Sequence, residues 1–110
     1  MLENKNCVPC QGGIPPLNKK QIESFQDHIH KDWVVNLDKE LEKTYEFKKY
    51  SEAIQFVNSV ADLAEKQGHH PYIHINYKKV VVIVFTHKIG GLHENDFLMA
   101  NKIDKLKFLL

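Results

Sequence analysis

The chain has 110 residues, 43% of them hydrophobic and 26% charged, which suits one domain around a single core and leaves no room for two. Its 15 basic and 14 acidic residues give a net charge of +1, so it carries no electrostatic footprint for nucleic acid or an anionic membrane. No apolar run approaches the roughly 18 residues of a spanning helix, and the first residues lack the apolar segment of a secretory signal, so the expected location is the cytoplasm.

Residues 1–16 hold Cys7 and Cys10 in a run rich in proline and glycine. A Cys-x-x-Cys pair can be redox-active at a helix start or supply half of a zinc site. No second pair exists to complete such a site, and the segment reads as a flexible arm ahead of one domain over residues 17–110. Asn18 is placed to cap a first helix, with Gln21 reaching back to it and Leu17 packing on Ile22. Ile22, Phe25 and Ile29 carry its apolar face for about three turns, and His28 and His30 fall on the surface near its end.

Trp33-Val34-Val35 predicts a strand, Leu37-Asp38-Lys39 a turn, and Leu41 to Phe47 a second strand with Leu41, Tyr45 and Phe47 on one side. Ser51 is a candidate cap for a helix whose stripe is Ala53, Phe56, Val57, Val60, Ala61 and Ala64. Gly68 should end it in the left-handed conformation, and Pro71 favours extended chain before it. Tyr72 to Tyr77 alternates as a strand, Lys78-Lys79 turns the chain, and Val80 to Phe85 is apolar enough for a central strand covered on both faces. After Gly90-Gly91 a last helix runs from about Glu94 through Phe97, Ala100, Ile103, Leu106 and Leu110. The order α-β-β-α-β-β-α predicts an α+β fold, a four-stranded mainly antiparallel sheet packed against helices on one face. Its exposed strand edges make a homodimer or homotetramer the expected state.

The chemistry concentrates between Glu65 and Ala100. His69 and His70 precede one strand and His87 follows the next, so a tight hairpin would bring them together. Imidazoles exchange protons near neutral pH, and no serine sits on a strand-to-helix elbow as a nucleophile. Zinc is a weaker reading, because adjacent His69 and His70 are awkward as joint ligands and no His-x-x-x-His spacing occurs. Taken alone, Asp96 is an ordinary acid in the first turn of a helix, and Trp33 a core aromatic.

Glu65-Lys66, His69-His70-Pro71, Tyr77, Val80, Thr86-His87, Gly91-Leu92, Asp96 and Ala100, with Trp33 and Phe47 to Ala61 upstream, resemble the pterin-4a-carbinolamine dehydratase family over roughly residues 16–106. The resemblance implies the α+β fold already read. It also implies dehydration of a 4a-hydroxytetrahydropterin to quinonoid dihydropterin, recycling tetrahydropterin after an aromatic amino acid hydroxylase. Pterin is then the substrate, and no metal or organic cofactor is implied. By position, His69 and His87 would be the acid–base groups and His70 would orient the pterin. Asp96 would fix an imidazole tautomer, and Glu65 would help hold the histidine turn. Trp33, Pro71 and Thr86 would contact the substrate. One departure is His93, where the family commonly has a serine or threonine cap. Alternatives are a non-catalytic dimerisation partner or coactivator of a transcription factor, and a small metal-binding protein.

Overall fold

A computed structural model describes residues 14–108, so Cys7, Cys10, most of the expected arm and Leu110 lie outside the described residues. The helices are α1 (Lys19–Gln26), α2 (Tyr50–Gln67) and α3 (Glu94–Phe108). The strands are β1 (Val34–Asn36), β2 (Glu40–Glu46), β3 (Tyr72–Asn76) and β4 (Lys79–Val84). They occur in the predicted chain order and form one antiparallel sheet in the spatial order β1-β2-β4-β3.

The reciprocal cap of α1 forms as read. The Gln21 N–H donates to Asn18 Oδ1 and the Asn18 N–H to Gln21 Oε1, both at 2.9 Å. The helix is shorter than predicted, because after Gln26 the backbone tightens: the N–H groups of His28 and Ile29 reach back only three residues, to Phe25 and Gln26. Ile29 therefore packs on the core from a turn. α2 begins two residues earlier than Ser51 implied, with Lys49 at the cap and no side-chain capping bond. Its stripe buries Ala53, Phe56, Val60 and Ala64, whereas Ala61 faces solvent.

Alternation along β4 shows which face carries the core. Val80, Val82 and Val84 are fully buried under the helices together with Leu41, Phe56, Phe97, Met99 and Ile103, while Val81 and Ile83 are half-exposed. The expected cover on both faces of β4 is thus met on one face within the single chain, where α2 and α3 pack on the strand and α1 packs on α3. The β3–β4 turn is Tyr77-Lys78, with Asn76 paired to Lys79, one residue earlier than expected.

Three local features set up one end of the sheet. Gly68 ends α2 in the left-handed region at φ 63°, and the His69 N–H closes on Ala64 O. Beyond β4, a bridge between Thr86 and Gly91 clamps a single 3-10 turn, His87–Ile89. Leu17 N–H then bonds Leu92 O at 2.9 Å, tying the start of the domain to the same loop. A methyl group on Gly91 would sit 2.7 Å from Pro16 Cβ, too close for either rigid neighbour. Gly91→Ala is expected to cost about 1–3 kcal/mol through this overpacking, seen as a lower midpoint in thermal denaturation; an unchanged midpoint would show that Pro16 yields freely.

Candidate active site

The two histidine-bearing segments meet in a cleft of about 600 Å³ lined by residues 65–70 from the end of α2 and residues 85–88 after β4. Hairpin register brings them together: Tyr72 pairs with Ile83, so the chain before β3 lies beside the chain after β4. His69, His70 and His87 all line this cleft, as do Glu65 and Thr86.

Their environments differ sharply. His69 is 4% exposed and Asp96 is fully buried, and His69 Nε2 lies 2.7 Å from Asp96 Oδ1. A carboxylate only accepts, so Nε2 carries the proton in this bond. The other oxygen, Asp96 Oδ2, accepts from the Thr86 hydroxyl and the His93 N–H, both at 2.9 Å. Three hydrogen bonds from three separate segments thus fix the carboxylate, and the carboxylate fixes the tautomer and tilt of His69. Among the described residues no buried side-chain polar atom lacks a partner.

His70 is mostly exposed and its Nε2 bonds the Glu65 carboxylate one turn back along α2. His87 is exposed and held by ring contacts, 4.2 Å from Phe85 and 5.5 Å from Tyr72 between centroids. Buried and exposed imidazoles therefore face one opening, with the Phe85 ring as a flat apolar wall. Lys66 and Lys88 add positive charge to the lining. Among the described residues no three His, Cys, Asp or Glu side chains are gathered to hold a metal ion.

Two residues expected at the substrate are not among those lining the cleft. Pro71 immediately precedes β3, outside the cleft lining, and Trp33 is 3% exposed in the core. Trp33 Nε1–H donates to Asp104 Oδ2 at 3.0 Å, and Asp104 Oδ1 accepts from Lys43 Nζ at 2.7 Å and from the Tyr45 hydroxyl. Burial, then the charge of Asp104 and the hydrogen bond to it, push the Tyr45 phenol far above its usual range, which keeps it a donor. Phe85 and the Asp104 cluster are the features that sequence reasoning missed. Phe85 was visible only as the last apolar residue of a strand.

The family described as Pterin 4 alpha carbinolamine dehydratase matches residues 15–106. A Rickettsia bellii protein named for that dehydratase is 43% identical over 106 residues, 96% of this chain and 94% of its own. One from Alkaliphilus metalliredigens is 43% identical over 104 residues, covering 94% of each. Among solved structures, a transcriptional coactivator/pterin dehydratase from Brucella melitensis superposes with TM-score 0.77 at 28% identity, over 84% of this chain and 98% of that one. A pterin dehydratase-like protein described as a RuBisCO assembly factor of the alpha-carboxysome shares the fold at TM-score 0.61 and 24% identity, over 71% of this chain and 92% of its own.

Proposed function

The chain belongs to the pterin-4a-carbinolamine dehydratase family, and we propose that it dehydrates a 4a-hydroxytetrahydropterin to quinonoid dihydropterin by histidine acid–base catalysis. The observation that carries this reading is a tautomer-fixed imidazole, His69 on Asp96, that lines one cleft together with a second imidazole, His87.

Expulsion of the 4a hydroxyl needs a proton delivered to that oxygen, while the lone pair of the neighbouring ring nitrogen forms the new double bond and that nitrogen gives up its proton. Water leaves and no electrons are gained or lost overall. His69 and His87 are assigned the two transfers, each worth on the order of 10² to 10⁴ in rate. Asp96 stabilises the imidazolium that forms on His69. His70, steadied by Glu65, orients the heterocycle, and the Phe85 ring offers it a stacking surface. Two imidazoles account for both protons, so the proposed chemistry calls for no metal or organic cofactor.

The physiological setting in this proposal is tetrahydropterin recycling beside an aromatic amino acid hydroxylase, in the cytoplasm. Self-association through the largely exposed strand β3 is part of the same reading. The test is the decay of the transient 4a-hydroxypterin made by a hydroxylase, followed by ultraviolet absorbance. Added protein should accelerate it by at least tenfold. An unchanged decay would remove the catalytic reading and leave a protein-partner role, as the name of the Brucella protein suggests for that relative.

A further inference from the structure

Helix N-caps are ordinarily serine, threonine, aspartate or asparagine, whose small oxygens accept a free backbone N–H. The residue before α3 is His93, and it caps with its ring: the Asn95 N–H donates to His93 Nδ1 at 3.2 Å. In return, the His93 N–H donates to Asp96 Oδ2. The ring thus takes the second N–H of the helix while the Asp96 side chain reaches back to the cap backbone, a variant of the capping box with imidazole in place of the hydroxyl, and the Asp96 carboxylate is the one that holds His69.

We propose that His93 is a positioning residue for the dehydration step, its neutral ring holding the first turn of α3, and through it Asp96 and His69, in the geometry that reacts. The kinetic part of this inference rests on the proposed dehydratase activity; the geometric part does not. His93 does not line the cleft, so it acts through Asp96 rather than on substrate.

An imidazole caps only while Nδ1 keeps its lone pair, because the protonated ring is a donor at both nitrogens. Taking up a proton would turn an acceptor into a donor facing the Asn95 N–H, and would set a positive charge at the positive end of the helix dipole. The charged groups beside it are Glu94 and Asp96 on its own helix, and His69, which meets Asp96 from the end of α2. Thr86, the other group on Asp96 Oδ2, does not titrate. The Asp96 carboxylate would attract the new charge, but the ring nitrogen would no longer accept from the Asn95 N–H. Protonation of the ring would therefore remove the cap and loosen Asp96.

The experiment compares wild type, His93→Ala and His93→Ser at about pH 5.5 and about pH 8, either side of the general imidazole range of about 6.5. His93→Ala should lower kcat about three- to tenfold at the higher pH with KM unchanged. His93→Ser, with an acceptor that does not titrate, should restore kcat to within about twofold and retain more of it than wild type at the lower pH. In parallel, two-bond proton–nitrogen spectra of the His69 ring read the Asp96 bond without any substrate. They should show one fixed Nε2–H tautomer in wild type and His93→Ser at the higher pH, and tautomer averaging in His93→Ala. If wild type has no dehydratase activity, the spectra still decide the positioning role. Unchanged kcat and unchanged His69 spectra in His93→Ala would overturn the inference, whatever its melting temperature. Failure of His93→Ser to rescue would overturn it too, since the ring would then act in its own right.

Discussion

His87→Ala is expected to lower kcat by about 10²- to 10⁴-fold, the range for losing a positioned general acid or base, while the protein still folds. The separation follows from where the side chain sits. His87 is exposed on a single 3-10 turn clamped by the Thr86–Gly91 bridge, and its ring packs against the rings of Phe85 and Tyr72. Removing an exposed side chain away from caps and buried networks usually shifts stability by no more than about 0.5 kcal/mol. Stopped-flow measurement of 4a-hydroxypterin decay, paired with thermal denaturation, checks both halves. A melting midpoint lowered in proportion to activity would instead make His87 a structural residue.

Asp104→Ala should do the reverse and lower stability while sparing chemistry. Asp104 accepts from Trp33, Lys43 and Tyr45, and the Lys43 and Asp104 side chains are only 11% and 15% exposed. Truncation leaves a nearly buried ammonium without its counter-charge and two further donors without their acceptor, a loss of about 3–5 kcal/mol. For a domain of this size that corresponds to a fall in melting temperature on the order of 10–30 °C. The ring faces of Tyr45 and Trp33, 4.8 Å and 5.9 Å from Lys43 Nζ, would recover only part of it. None of the four residues lines the histidine cleft, so kcat measured well below the melting range should stay within about twofold. A shift of less than about 3 °C would mean that water replaces the carboxylate at little cost.

These two sites also show where sequence reasoning reached and where it stopped. α2 was legible because its apolar stripe repeats at helical spacing and Gly68 supplies an unambiguous end. The histidine cleft was legible because one hairpin brings His69, His70 and His87 together, and hairpin geometry follows from alternation and a short turn. The Asp104 cluster was not, because it joins residues 59 to 71 positions apart with no periodic signature. Lys43 faces the helices at a position where alternation calls for an apolar side chain, and the charge hides that it is an inward position. Trp33 was drawn towards the pterin by resemblance, but in this chain its indole N–H is committed to the carboxylate on α3. The cap at His93 was readable as a weak one. That its ring nitrogen would do the capping needed coordinates.

The two-residue turn at Tyr77-Lys78, with Tyr77 at φ 54°, carries a consequence for how such a chain can change length over evolutionary time. A residue added or lost there that is not absorbed in the loop slides β3 along β4 by one position and turns its side chains over, so such a change at the far tip of the hairpin would misalign the segments that bear His70 and His87. The loop at Leu37-Asp38-Lys39 borders only β1 and β2 and is free of that penalty. Insertions and deletions should therefore accumulate at the second loop and be purged from the first, the tip serving as a gauge that measures out the reactive end.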